Sequence, residues 1–336
     1  MRMVKPVRML WALGIAAVGL LPLAGAASAQ STYATDLSTE RGGSILVFPK
    51  VIWDGTRDTV IKISNTSNSM VHVHCFYVNG AQQCNETDFD FWLTRQQPTI
   101  WVASLGRAYL PDAGLFPGLI PPVPQGFEGE LKCVQVDEAL IPLRGNALTG
   151  QANLVDDIGD VSQYNALSFQ GNPDMNAIGG DTNMTLDLTP FNQGGTYSAC
   201  PAVLLFDHFA EGVTDMVADA SLSTELTLVP CSEDLENQIP SSRTVNFDII
   251  NEFENHFSVG LTFSCWFNEP LNDRRFGGAL GISALLTQSA YSRITSSNGG
   301  VIGLAEEFRD GTGAAAFNLE TEGYQAAPDR IVLPQP

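Results

Sequence analysis

The stretch from Asp58 to Gly80, DTVIKISNTSNSMVHVHCFYVNG, constrains the fold of this chain more than any other. Thr59, Ile61 and Ile63 alternate with polar neighbours, which is the period of a strand with one buried face. Asn65-Thr66-Ser67-Asn68 is turn chemistry, because short polar side chains bond their own backbone. Met70 to Val78 then alternates again, with Val71, Val73, Cys75 and Tyr77 on one face. A one-residue slip would expose that whole apolar set, so the register is fixed. The other face carries His72, His74 and Phe76 and is expected to meet solvent.

A variant of this unit returns near Asn251 to Pro270, and its flanks return with it. Ile45–Pro49 (ILVFP) matches Glu225–Pro230 (ELTLVP), and Asp58–Asn65 matches Thr244–Asn251 (TVNFDIIN). Met70–Tyr77 matches Val259–Phe267, where Leu261, Phe263, Cys265 and Phe267 share the apolar face. Asp88–Ser104 matches Gly281–Thr295, and Glu128–Val136 matches Gly299–Phe308. Matches in one order through two halves argue for two copies of one unit. Further strand candidates lie at Asn146–Val155, Gln163–Gln170 and Ala202–Phe206; His208–Asp219 reads as a short helix. Short strands between Gly, Pro and Asn turns point to an all-β fold. The expected architecture is two tandem antiparallel β-sandwich domains after a signal peptide. The first spans 44–180 with a Pro-rich loop over 105–127, and the second spans 196–312. Residues 30–43 read as a flexible lead-in and 313–336 as a C-terminal tail.

The leader rests on Arg2, Lys5 and Arg8, the apolar run Met9–Leu23 and the small residues Ala27-Ser28-Ala29. A basic start, a short apolar run and an A-x-A site make residues 1–29 a cleavable secretory signal. No later stretch has the length of a membrane span. The mature chain is therefore expected in the periplasm, at the cell surface or in the medium. The net charge of -20 becomes -23 once the three basic leader residues are removed. So acidic a surface repels nucleic acid and anionic lipid. The six cysteines, Cys75, Cys84, Cys133, Cys200, Cys231 and Cys265, are disulfide candidates in an exported chain. Cys75 and Cys84, around Asn79-Gly80, suit a hairpin closed by its own bridge.

Few constellations suggest chemistry. His72 and His74, at i and i+2 on a strand, can reach one zinc or copper ion, with His208 or His256 as a third ligand. Asp156, Asp157 and Asp160 (VDDIGD) form an acidic loop of the kind calcium takes, and Asp174 and Asp181 flank a second. Neither has the EF-hand order. Asp88 with Asp90, or Glu306 with Glu307, could be read as paired carboxylates for glycoside hydrolysis. G-x-S-x-G, the P-loop and H-E-x-x-H are missing from the sequence.

DTVIKISNTS…VHVHCFYVNG resembles the central hairpin of immunoglobulin-like and fibronectin-like modules in exported bacterial proteins. With its leader, the chain is similar to secreted bacterial proteins built from paired modules of that kind. The resemblance implies an Ig-like sandwich and a binding or structural role rather than catalysis. The expected function is that of a non-catalytic structural or adhesion protein, meeting other surface proteins or glycans and needing no cofactor unless calcium. The alternative is a module for carbohydrate or another small ligand, with Trp92, Trp101 and Trp266 as stacking platforms. A secreted hydrolase is the third class.

Overall fold

The computed structural model describes residues 37–107, 118–173, 175, 184–217, 219–324 and 328–336. The expected leader, Asp174, Asp181 and residues 108–117 of the Pro-rich loop lie outside the described residues. Residues 33–336 form one compact unit, and its described part is almost entirely β.

Its strands make five small sheets. The first runs β4 (Asn85–Leu93), β3 (Val71–Asn79), β6 (Phe127–Val136), β1 (Ile45–Trp53), β9 (Leu167–Phe169). The second runs β5 (Pro98–Val102), β2 (Arg57–Asn65), β7 (Leu148–Asp156), β8 (Val161–Asn165). The third holds β10 (Thr185–Asp187), β22 (Arg330–Val332) and β14 (Glu233–Asp234). The fourth runs β16 (His256–Ser264), β15 (Ser242–Asn251), β18 (Ser289–Ser296), β11 (Val203–Phe209), β21 (Glu320–Glu322). The fifth runs β12 (Thr214–Asp215), β13 (Ala220–Pro230), β19 (Val301–Arg309), β20 (Thr312–Asn318), with β17 (Phe267–Pro270) added along β13. One helical turn, α1 (Ile282–Leu285), is the α-helix of the described residues.

This corrects the expected architecture. The sheets take a five-bladed, propeller-type arrangement in one body and not that of two tandem Ig-like β-sandwich domains. Three apolar clusters hold them. One gathers Phe48, Ile63, Tyr77, Phe91 and Trp101 between the first two sheets. Another gathers Phe206, Phe247, Phe263 and Phe276 between the fourth and fifth. The last covers the opposite face of the first sheet, where Ile45, Phe76 and Val134 meet Leu186 and Ile331 of the third sheet and Ile302 of the fifth. That covering explains a second correction. His72, His74 and Phe76, expected in solvent, are all buried. The matching Thr262 and Ser264 are exposed.

The Asp58–Gly80 stretch does form two strands around a polar turn, but not a hairpin. β2 lies in the second sheet and β3 in the first, so the turn is a corner between sheets. In the second half β15 and β16 do pair directly, from Ser242↔Ser264 to Ile250↔His256. His208–Asp219, read as helix, is the end of β11 followed by β12. The Gly281 region, matched to a strand, contains α1 instead.

One feature is shared by both halves. Asn65 is buried at the end of β2, donating from Nδ2 to the carbonyls of Ser69 (2.7 Å) and Thr94 (2.9 Å) and accepting from the Ser67 amide. Asn251, buried at the end of β15, donates to the Leu285 carbonyl (2.8 Å) and accepts from the amides of Phe253 and Asn255. Each amide satisfies backbone groups that no ladder reaches. Replacing either by Ala strands those groups, and about 2–3 kcal/mol of stability should go with it, read by urea denaturation.

Between the first and fifth sheets the chain buries a charged network. Lys50 Nζ lies 2.6 Å from Glu225 and 2.7 Å from Glu306, and Arg57 reaches Glu306 at 2.5 Å. The Tyr164 hydroxyl donates to the Lys50 carbonyl, and Arg57 covers the Phe308 ring at 5.0 Å. Two cations and two carboxylates close to neutrality, which is what burial of charge requires.

Candidate functional site

The candidate site is a cavity of about 520 Å³ at one end of the fourth sheet. Asp207, His208 and Phe209 come from β11, Ile250 and Asn251 from β15, Ser289 to Tyr291 from β18, and Glu307 from β19; Glu252 follows β15. Alternation decides which side chains arrive. Glu306 and Glu307 are neighbours on one strand and therefore point to opposite faces. Glu306 turns to Lys50, and Glu307 lines the cavity. They cannot serve as the paired carboxylates of a hydrolase.

The electrostatics of the cavity are one-sided. Asp207, Glu252 and Glu307 line it, and among the described residues no Lys or Arg does. Glu252 accepts a hydrogen bond from Ser289 Oγ at 2.7 Å. Among the described residues nothing pairs with the half-buried Glu307 carboxyl, and burial alone raises its pKa. The His208 ring lies between Ser292 Oγ (Nε2, 2.8 Å) and the Phe209 carbonyl (Nδ1, 2.9 Å). That pattern assigns Nδ1 as donor and Nε2 as acceptor. Burial lowers the His208 pKa, so the ring is neutral and offsets none of the acidic charge. Ser292 and His208 form a hydrogen-bonded pair, but Ser292 is fully buried and offers no nucleophile to the cavity.

The other residues singled out from the sequence sit elsewhere. His72 is held by Asp90 (Nε2, 2.7 Å) and the Asp137 carbonyl (Nδ1, 2.9 Å) and stacks on Trp92 at 4.1 Å. His74 bonds Asp88 at 3.1 Å, and burial lowers its pKa. Asp88 and Asp90 are thus partners of the histidines. His208 lies in the fourth sheet, and His256 is exposed beside Asp248. Among the described residues no three His, Cys, Asp or Glu side chains form a metal-holding group. Asp156 accepts from the amides of Ile158 and Asp160, so its carboxylate closes the β7–β8 turn. Asp157 and Asp160 are exposed on that turn.

Trp101 is buried and donates to Tyr77 Oη at 2.7 Å. Trp266 donates to the Pro49 carbonyl at 2.8 Å. With Trp92 on His72, each aromatic platform already has a protein partner.

The cysteines form Cys75–Cys133, Cys84–Cys265 and Cys200–Cys231. The self-closed hairpin Cys75–Cys84 does not occur. Cys75 and Cys133 are opposed across β3 and β6, and the segment after Asn79 turns Cys84 toward Cys265.

The cavity residues are scattered over four strands, so no local motif announces them. Two of them, His208 and Glu307, stood out in the sequence, one as a third metal ligand and the other as half of a carboxylate pair, and nothing there linked the two. No helix among the described residues is long and apolar enough to cross a membrane. Compared with protein-family models and with curated protein sequences, the chain matches none.

Proposed function

We propose that this is an exported, non-catalytic binding protein whose cavity takes a small organic cation with an apolar body. The observation that carries the reading is Glu307: a half-buried carboxylate, unpaired among the described residues, in a cavity with two further acids and a neutral histidine. A ligand ammonium would supply the missing counter-charge in a partly desolvated setting, where such pairs are strongest. Phe209, Ile250 and Tyr291 would face the apolar body, and aromatic faces also favour a cation. Three disulfides fit a chain that works outside the cytoplasm.

Calorimetric titration with phenethylamine tests this. The expected result is binding that Glu307→Gln weakens about tenfold or more, a loss of roughly 1.4 kcal/mol. Because burial raises the Glu307 pKa, affinity should fall as pH drops through that raised value and protonates the carboxyl. Equal affinity for the neutral analogue 2-phenylethanol, or no effect of Glu307→Gln, would sink the idea.

A structural or adhesive role is the second reading. It is favoured by Phe253 and Leu286, 68 % and 75 % exposed beside the cavity end, where they could meet a partner surface.

A further inference from the structure

Lys50 is fully buried, and its ammonium lies 2.6 Å from Oε2 of Glu225. The same oxygen accepts a hydrogen bond from Nδ2 of Asn268 at 3.3 Å. The amide oxygen of Asn268 in turn accepts from Thr227 Oγ1 at 2.7 Å. A lysine and a side-chain amide therefore meet on one carboxylate, with a hydroxyl aimed at the amide carbonyl. Their strands are held in place independently. Thr227 and Asn268 are opposed across β13 and β17. Trp266, two residues before Asn268, is anchored on the Pro49 carbonyl next to Lys50. Its ring lies so close over Gly80 that a Cβ there would come within 2.6 Å of it.

We propose that Lys50 and Asn268 are the partners of a self-formed isopeptide cross-link, with Glu225 as its proton carrier. Glu225 takes a proton from the Lys50 ammonium. The freed Nζ lone pair attacks Cγ of Asn268, a C–N bond forms, and the carbonyl electrons move to Oδ1, which the Thr227 hydroxyl stabilises. Collapse of this tetrahedral species breaks the Cγ–Nδ2 bond. Of the three ammonium protons one stays on the new amide nitrogen. The other two pass through Glu225 to Nδ2, which leaves as ammonium. Nothing is oxidised or reduced, and no co-reactant is needed. Holding both groups on one carboxylate inside a packed seam supplies the proximity that makes amide exchange feasible at a side chain. Arg57 stays beside Glu306 and within 3.9 Å of Glu225, so one cation remains for the two carboxylates once Lys50 has lost its charge. The site does not involve the ligand cavity.

The test is the intact mass of the purified full-length protein, reduced and denatured, followed by peptide mapping. The expected mass is one ammonia below that of the same chain with its amides intact, with a branched peptide joining Lys50 to Asn268. Glu225→Gln and Asn268→Ala should each restore the full mass, and Thr227→Val should slow the loss during incubation of freshly made protein. Recovery of Lys50 and Asn268 in separate linear peptides from folded wild-type protein, at full mass after prolonged incubation, overturns the proposal whatever the variants do.

Discussion

Lys132→Met is expected to cost about 3–5 kcal/mol at pH 7.5, the penalty for removing one partner of a buried ion pair. Lys132, on β6, is buried against Glu130 of its own strand and Glu233 of β14. Burial opposes the lysine charge, but the two carboxylates outweigh it and hold Lys132 above the usual lysine range. One cation cannot neutralise both acids. Burial, only partly offset by Lys132, pushes Glu130 up to about 8, so Glu130 largely keeps its proton at neutral pH and the excess of acid around Lys132 is relieved. Glu86, alongside, is pushed up to about 7 by burial and by the neighbouring acids Asp88, Glu233, Glu236 and Asp234.

The sign of the pH dependence follows. A carboxyl raised in the folded state holds a proton that the unfolded chain has released. Between pH 4.5 and 8 Glu86 and Glu130 therefore bind more protons in the folded state, and their contribution to stability falls as pH rises through that window, opposite in sign to that of the buried His74 and His208. Discounted for its partial exposure, Glu86 alone should contribute about 1 kcal/mol to the fall. Removing Lys132 strengthens the trend, because it takes away the charge that partly offsets the burial of Glu130. The loss in the Lys132→Met protein should be largest at pH 8 and shrink toward pH 5. Guanidinium unfolding at several pH values reads both effects. A loss that does not vary with pH would mean that the site tolerates naked carboxylates.

Cys84→Ser/Cys265→Ser is the second large effect. This disulfide joins residues 181 apart in sequence, the longest loop of the three. In the chain-entropy account a loop of that order stabilises by roughly 5 kcal/mol at most, and the two shorter bridges already restrict it. We expect a loss of about 3–4 kcal/mol and a melting temperature lower by roughly 5–8 °C, with the other two disulfides intact. Differential scanning calorimetry with thiol counting checks this. An unchanged melting temperature would mean that the seam between the halves is held without the bridge.

The strands themselves were legible. Alternation located β2, β3 and β15 to within about two residues, because a half-buried strand writes its period into the sequence. Their neighbours were not. A period of two says which side chains share a face and nothing about which strand lies alongside, so the Asp58–Gly80 corner read as a hairpin. The face of His72 and His74 was misjudged for a related reason. Histidine among apolar residues looks like an outer position, but the exposed Asp88 and Asp90 satisfy it from the rim while Phe76 packs inward. The unbroken run ILVFPKVI in β1 carried the better signal, since only a strand covered on both faces has no polar side. A lysine within that run announces buried partners as well. Those partners, Glu225 and Glu306, lie far along the chain and could be named only from the fold. The cavity was less legible still, because its lining comes from four strands that register alone brings together.

The Cys84–Cys265 bridge also bears on how the protein comes to be oxidised. A chain made from its N-terminus presents Cys75 and Cys84 first, close together across Asn79-Gly80, while Cys133 and Cys265 are still to come. The earliest pairing open to it is thus the local one that the finished fold does not contain. Reaching the native set then requires either that Cys84 be kept reduced until nearly the whole chain has emerged, or that the early bridge be exchanged once β6 brings Cys133 beside Cys75. On the second route, thiol exchange rather than strand formation sets the pace of maturation.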